Sequence, residues 1–256
     1  MAVVTFTTDF GSADAYAGAM KGVVLSLAPD AALVDISNEI PRHDVAAGAL
    51  VLAQAAPFFP AGSVHVAVVD PGVGGARADV VVEAGGSVFV GPDNGILAQA
   101  ARPPRRAFRI DNPLFRREPV SPTFHGRDVL AVAAGRIAGG CPARDAGAPM
   151  HAIVELGATE DGLLEGECRG TVIHVDGFGN LITSIGGGST EGRWRLHCAG
   201  HQFDILGGRT YSDVASGDLV LYQGSNGRVE IAVRNGSAAA LTGAKAGAKL
   251  ELRRLA

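Results

Sequence analysis

The first half of the chain alternates short apolar runs with segments of helical spacing. Val3–Thr8 is rich in β-branched residues and predicts a strand, whereas Tyr16, Met20 and Leu27 recur at the spacing of one helix face. Further strands are predicted at 32–36, 64–69, 80–83 and 87–90, and further helices after Asp44, from about Ile96 and over 127–137. Strands that alternate with helices predict an α/β domain with a largely parallel sheet.

The pattern changes in the second half of the chain. Segment 157–166 is acidic and turn-rich, which favours a domain boundary there. Beyond it, short strands without a helical period are predicted at 171–175, 181–185, 194–196, 202–206, 219–223, 229–233 and 250–253. Such a run predicts a small antiparallel barrel or sandwich, and we take the barrel. The expected organisation is an N-terminal α/β domain, 1–157, and a C-terminal small antiparallel β-barrel domain, 166–256.

Composition narrows the functional classes. The 22 basic and 26 acidic residues give a net charge of −4 without a basic face, which argues against a nucleic-acid partner. The three cysteines are far apart and form no CxxC pair, so we expect a reducing, cytoplasmic location. The longest apolar region, 46–59, contains Gln54 and Pro57 and is too short for a membrane span.

Candidate chemistry follows the predicted strands. Asp9 and Asp70 come directly after two of them, and His125 lies just before a helix. Each aspartate taken singly is more readily a cap or turn residue. Because ligands bind at the carboxyl ends of parallel strands, these side chains together predict a site suited to general acid–base chemistry.

For three glycine-containing loops, the sequence does not distinguish a structural turn from a binding role. Loop 70–77 has glycines where the backbone could approach a neighbour closely, so a tight turn and a phosphate cradle both fit, although the ending of a Walker loop is missing. Loops 176–180 and 225–227 have the composition of hairpin turns. His197, Cys198 and His201 form the nearest approach to a metal-ligand run, but they lack a further partner at a familiar spacing, so no metal and no cofactor is predicted.

Taken together, five segments closely resemble one family in order and spacing. They are 8–11 with Asp14 and Tyr16, 70–74 with Arg77, 91–95, 124–128 and 176–180. The family is that of the S-adenosylmethionine hydroxide adenosyltransferases, the hydrolytic relatives of fluorinase and chlorinase. The likeness extends from the first strand to about Asn235.

The resemblance implies an enzyme that hydrolyses S-adenosyl-L-methionine to adenosine and L-methionine, with water or hydroxide attacking the ribose C5′. The family's water-activating Asp, Arg and His match Asp70, Arg77 and His125. Our hypothesis is that Asp70 and His125 accept or relay the proton while Arg77 orients Asp70 and stabilises developing hydroxide. Fluorinase has Tyr at the position of His125 and Ser at that of Gly126, which favours a hydrolase here.

The resemblance also implies substrate-binding roles and an assembly. Asp9 would bind the ribose diol, and Asp14, Tyr16 and Asp176 would hold the methionine ends. The adenine would face Asn180, with Phe178 beside it, and the backbone around Ser225 and Asn226. The family forms homotrimers with sites between the α/β domain of one subunit and the β domain of the next.

Three alternatives stay open. They are an S-adenosylmethionine-dependent halogenase, a non-catalytic module that binds S-adenosylmethionine or adenosine, and a metal-dependent phosphoesterase with Asp9, Asp70, Asp93 and His125 as ligands.

Overall fold

The computed structural model describes residues 2–157 and 166–255 and divides into two compact units, Met1–Leu156 and Gly157–Ala256. The acidic segment predicted as the domain boundary falls mainly on residues 158–165, which lie outside the described residues.

The first unit is built on a seven-stranded sheet. Its strands are β1 (Val3–Thr8), β2 (Ala32–Ser37), β3 (Val64–Val68), β4 (Asp79–Ala84), β5 (Ser87–Pro92), β6 (Arg105–Arg109) and β7 (Pro149–Met150). Its helices are α1 (Tyr16–Leu27), α2 (Val45–Ala55) and α3 (Ala131–Ala138). The strand order is β2-β1-β3-β5-β4-β6-β7, and the first four of these strands are parallel to one another. The predicted α/β fold with a largely parallel sheet is confirmed.

Alternation along the central strands supplies a core on each face of this sheet. Val66 and Val68 of β3 pack with the buried residues of α1 and α3, and Ala67 packs with those of α2. Asp44 begins α2 as predicted, because its side chain accepts a hydrogen bond from the Ala47 backbone N–H at 2.9 Å. Such a cap contributes about 1 kcal/mol to helix stability.

The second unit is a closed barrel, and all seven predicted strands are present. They are β8 (Glu167–Val175), β9 (Leu181–Gly186), β10 (Gly192–Cys198), β11 (His201–Gly207), β12 (Leu219–Gln223), β13 (Arg228–Val233) and β14 (Lys249–Arg254). Neighbouring strands are antiparallel except β11 and β12, which pair in parallel. The inward residues Trp194, Leu196, Leu221 and Ile231 fill the barrel and are almost completely buried.

Two secondary-structure predictions were wrong. The helix expected from Ile96 is a series of turns, because Asn94 Oδ1 accepts the Ile96 N–H and Gly95 takes a left-handed φ of 98°. The barrel unit, in which no helix was expected, contains a short one, α4 (Ala238–Thr242), begun by Ser237, whose hydroxyl accepts from the Ala240 N–H. Among the described residues, none of the helices has the length and apolar character needed to cross a bilayer.

Candidate active site

Two acidic residues meet at one edge of the first unit's sheet. β1 and β3 are adjacent and parallel, with Thr8 opposite Val68. Asp9 follows β1 directly and Asp70 follows β3 after Val69, so both carboxylates lie beyond the carboxyl ends of neighbouring strands. This is the edge at which the strand pattern predicted a site.

A cavity of about 340 Å³ opens at this edge, within the range of small-molecule sites. Five of the residues predicted for the site line it, namely Asp9, Asp14, Tyr16, Asp70 and His125. Phe10, Arg42, His43, Val68, Val73, Thr123, Phe124 and Gly126 complete the lining. Arg77, also predicted for the site, is not part of the lining and contacts two residues that are, Asp70 and His125.

A buried network of charged side chains includes two residues of the cavity wall, Asp70 and His125, and continues behind that wall. The Arg77 guanidinium binds Asp70 with two of its nitrogens, Nε at 3.1 Å and Nη2, and binds Asp79 through Nη1. Asp79 Oδ2 lies 2.8 Å from His125 Nδ1. The Asp70 side chain is 5% exposed, Asp79 9% and Arg77 11%. The structure thus joins Asp70, Arg77 and His125 as the resemblance implied, and adds Asp79.

Sequence reasoning missed Asp79, although a weak signal was present. Arg77 and Asp79 are two positions apart where the chain enters β4, a spacing at which side chains lie on the same side of an extended strand. The arginine and aspartate therefore face the same neighbours, and His125 is one of them.

Loop 70–77 packs its backbone against the loop that carries His125. Gly74 has a φ of 74°, and a Cβ built on it would lie 2.3 Å from the carbonyl oxygen of Pro122. Gly74 therefore allows two loops of the protein to approach each other closely, as the glycines of this loop suggested.

Substituting Gly74 by alanine is expected to destabilise the first unit and to lower activity. The left-handed φ costs about 1–2 kcal/mol and the contact with Pro122 forces the two loops apart, so we expect a total loss of about 3 kcal/mol in urea unfolding. Gly62→Ala is the matched control, because Gly62 has a φ of 84° and a Cβ added there would meet nothing within 4 Å. Equal losses for the two variants would contradict the close-approach argument.

Asp128 holds the His125 segment in place from behind. Its carboxylate, 1% exposed, accepts hydrogen bonds from the Ser121 N–H at 2.9 Å and from Arg127 Nε and Nη2 at 2.7 Å each. The Arg127 guanidinium lowers the pKa of the Asp128 carboxyl below its usual value. Residues Gly126–Leu130 form one wide π-helical turn that leads into α3, and the two together span the helix predicted for 127–137.

Three aromatic rings form another wall. The centroids of Phe10, Tyr16 and Phe124 lie 5.3–6.0 Å from one another, and Arg127 lies 4.9 Å above the Phe124 ring. Of these rings only Tyr16 was predicted for the site, although the other two directly adjoin Asp9 and His125 in sequence. An aromatic wall suits a ligand with a flat or cationic group.

Asp9 is oriented by the backbone of the neighbouring loop. Its Oδ2 accepts the His43 N–H at 2.9 Å, and His43 has a left-handed φ of 66°. This contact fixes the carboxylate at the cavity and leaves Oδ1 to accept from a ligand hydroxyl.

The barrel unit contains the other predicted residues, beginning with the β8–β9 hairpin. Asp176 Oδ1 accepts the N–H groups of Phe178 and Asn180 at 2.9 Å each, and Oδ2 accepts from Asn180 Nδ2 at 2.8 Å. Asp176 thus shapes the turn, in line with the hairpin predicted from backbone preferences. Asn180 is buried, whereas Phe178 is 82% exposed.

Ser225 and Asn226 lie in the β12–β13 hairpin, where the structure reveals a carboxylate that the sequence did not single out. Ser225 is exposed, and Asn226 Nδ2 donates to Glu230 Oε1 at 3.3 Å. Glu230 also accepts the Tyr222 hydroxyl at 2.7 Å. Burial raises the pKa of the Glu230 carboxyl, and the charge of Asp176 adds to the rise, so the two hairpins are electrostatic neighbours.

The positions of the acidic, histidine and cysteine side chains test whether they could bind a metal ion together. Within residues 2–157 and 166–255, no group of three or more His, Cys, Asp and Glu side chains is placed to share an ion. In the cavity wall, the Arg77 guanidinium fills the space between Asp70 and Asp79. In the barrel, Cys198 is buried in the core whereas His197 and His201 are exposed, so this run does not converge either.

The comparisons with known proteins agree with the resemblance. The family model described as the S-adenosylmethionine hydroxide adenosyltransferase N-terminal domain matches residues 4–147, and the model of the C-terminal domain matches residues 170–251. The chain is 40% identical to an (R)-S-adenosyl-L-methionine hydrolase of Salinispora arenicola, with 97% of each chain covered. It is 39% identical to the enzyme of the same name from Thermus thermophilus, covering 98% of this chain and 100% of that one.

More distant matches delimit the relationship. A fluorinase of an Actinoplanes species is 25% identical, with 90% of each chain covered. The crystal structure of a conserved protein from Thermotoga maritima superposes with a TM-score of 0.89 at 28% identity, covering 99% of this chain and 100% of that one. On the evidence of both family models and of the relatives near 40% identity, the chain belongs to the S-adenosylmethionine hydroxide adenosyltransferase family.

Proposed function

We propose that this protein hydrolyses S-adenosyl-L-methionine to adenosine and L-methionine. The observation that carries the proposal is the buried network of Asp70, Arg77, Asp79 and His125, which reaches a cavity of about 340 Å³ through Asp70 and His125. Because the relatives are named as hydrolases of (R)-S-adenosyl-L-methionine, the two sulfonium epimers of the substrate are tested separately.

The main catalytic requirement of this reaction is an aligned and activated water molecule. Water loses a proton as its oxygen bonds to the ribose C5′, and the bond from C5′ to sulfur breaks. The sulfonium leaves as neutral methionine thioether, so no general acid is required. Positioning can lower the barrier by about 7–11 kcal/mol, and a general base adds about 10²–10⁴ in rate. We assign the role of base to Asp70 and His125, and Arg77 holds Asp70 with two of its nitrogens.

The binding groups follow from chemistry and from the family likeness. Asp9 accepts from the vicinal ribose hydroxyls, and the rings of Phe10, Tyr16 and Phe124 offer π faces to the positive sulfonium. Asp14, with Tyr16, lies at the same cavity and takes the methionine amino group. Asp176 in the barrel unit joins them at the methionine ends.

The adenine-binding residues of this proposal also lie in the barrel unit. They are Phe178, Asn180, Ser225 and Asn226. The Asn226 side chain is already bonded to Glu230 and to the Arg228 N–H, so the backbone of this hairpin is the group offered to the adenine.

Catalytic and binding residues thus belong to two different units of the chain. We propose a homotrimer in which the cavity of one subunit is completed by the barrel unit of the next, as the family likeness implies. We also propose a cytoplasmic location, in keeping with three cysteines that are far apart in the sequence and include no CxxC pair.

Product analysis in labelled water tests the function. Purified protein is incubated with the (R) and (S) sulfonium epimers of S-adenosyl-L-methionine in H₂¹⁸O, with and without chloride or fluoride, and the products are identified by mass spectrometry. We expect adenosine with ¹⁸O at the 5′ hydroxyl and an equal amount of methionine. A 5′-halogenated adenosine would instead support the halogenase alternative. Bound but unconverted substrate would support a binding module.

A further inference from the structure

One carboxylate of the charged network lies behind the cavity wall. Asp70 and His125 line the cavity, whereas Asp79 does not and has a side chain that is only 9% exposed. Asp79 Oδ2 nevertheless lies 2.8 Å from His125 Nδ1. Any influence of Asp79 on chemistry in the cavity therefore passes through the side chains that it holds.

The contact with Asp79 decides which imidazole nitrogen carries the proton. An ionised carboxylate only accepts hydrogen bonds, so an oxygen at 2.8 Å requires a proton on His125 Nδ1. Arg77 Nη2 also approaches Nδ1, at 3.4 Å, and as a donor it would favour the opposite tautomer. The contact of Nδ1 with Asp79 is 0.6 Å shorter than its contact with Arg77, and it joins an N–H donor to a carboxylate acceptor. We therefore assign the proton to Nδ1.

Arg77 neutralises the buried negative charge of Asp79 while Asp79 remains bonded to His125. The guanidinium binds Oδ1 of Asp79 through Nη1, while Oδ2 faces His125. The same arginine binds Asp70 with Nε and Nη2. One cation thus fixes two carboxylates, one on the cavity wall and one behind it.

We propose that Asp79 is a positioning residue for His125. It keeps the proton on Nδ1 and presents Nε2 to the cavity as the acceptor of the water proton. When water attacks C5′, the bond from C5′ to sulfur breaks and its electron pair stays on the sulfur of methionine. The O–H electron pair stays with the oxygen, the proton moves to Nε2, and the resulting imidazolium is stabilised by Asp79. The catalytic consequence rests on the proposed hydrolase function, whereas the coupling of Asp79 to the His125 tautomer does not.

The tautomer can be measured without substrate. The ¹⁵N chemical shifts of the histidine side chains are recorded on the full chain, which has seven histidines, and the His125 signals are assigned by their loss in His125→Gln. We expect Nδ1 of His125 to be protonated in the parent protein. In Asp79→Asn, whose amide can donate as well as accept, we expect a mixture that includes the Nε2–H form.

A kinetic comparison tests the consequence for the reaction. We expect Asp79→Asn to lower kcat about 10- to 100-fold with KM changed by less than about 2-fold, a part of the effect of a general base. The acid limb of its pH–rate profile should move to lower pH, because the imidazolium loses its carboxylate partner. Asp79→Glu restores a carboxylate and should recover part of kcat.

A control variant separates positioning from structural support. Glu83 lies on β4 with Asp79 and pairs with Arg106 at 2.9 Å, away from the cavity lining. Glu83→Gln should leave the His125 tautomer, kcat and the pH profile unchanged. Thermal melts of all variants report any loss of folding.

Distinct results overturn the two proposals. An Nε2–H tautomer in the parent protein, or an Asp79→Asn variant with an unchanged tautomer and pH profile, overturns the role of Asp79. A loss of kcat that follows only the loss of thermal stability overturns it too. If the parent protein fixes the Nδ1–H tautomer through Asp79 but releases no adenosine, the coupling stands and the hydrolase function fails.

Discussion

Replacing His125 by alanine is expected to lower kcat for adenosine release about 10³-fold. The imidazole lies on the cavity wall with Nδ1 engaged by Asp79, so its removal takes away the proposed acceptor of the water proton. KM should change little, because we assign the ribose and methionine contacts to other side chains. Initial rates measured by chromatography over a range of substrate concentrations give both constants.

His151→Ala is the matched control for this variant. His151 is an exposed histidine of the same unit and does not line the cavity, so its loss should leave kcat at the parental value. A His125→Ala enzyme that works at the parental rate would remove His125 from the mechanism and leave Asp70 as the base.

A double variant then shows whether Asp70 and His125 act as one unit. Arg77 and Asp79 connect the two side chains through hydrogen bonds, so the losses caused by Asp70→Asn and His125→Ala are not expected to multiply. A double variant close to the slower single variant indicates a shared proton path, whereas multiplied losses indicate two independent contributions.

The sequence predicted the elements of this fold where local spacing and local capping agree. β1 was predicted at Val3–Thr8 and has those bounds, and Asp44 caps α2 as expected. The apolar residues from Ile96 onward look equally helical, but Asn94 and Gly95 turn the chain just before them. Whether a turn or a helix forms there depends on side-chain hydrogen bonds that hydrophobic spacing does not contain.

The site was predictable to the extent that it follows strand ends and recognisable motifs. Asp9 and Asp70 were found because parallel strands end at one edge, and His125 was found because it lies just before a predicted helix. Asp79 belongs to none of the motifs, and its contact with His125 joins residues 46 positions apart. Glu230 lies within a run that correctly predicts β13, but its burial depends on closure of the barrel and on Tyr222 and Asn226 from neighbouring segments.

Mixing two inactive variants is expected to restore activity if the proposed shared site is correct. His125→Ala removes the proposed base from the α/β unit, and Asp176→Asn alters the barrel unit, where Asp176 Oδ2 accepts from Asn180 Nδ2. Both variants are co-expressed with different affinity tags, and oligomers that carry both tags are purified. Each variant purified alone, and each co-expressed with a differently tagged copy of itself, is the control and should stay nearly inactive.

In a cyclic trimer built from both variants, an intact α/β unit faces an intact barrel unit at one position, whichever variant is present twice. The mixed trimers should therefore show about one third of the parental activity, a rise of more than about 100-fold over the His125→Ala protein. A site formed within one chain predicts no recovery, because every chain then carries one defective half. Mixed trimers as inactive as their parents would contradict the shared site while leaving the roles of His125 and Asp70 in hydrolysis unaffected.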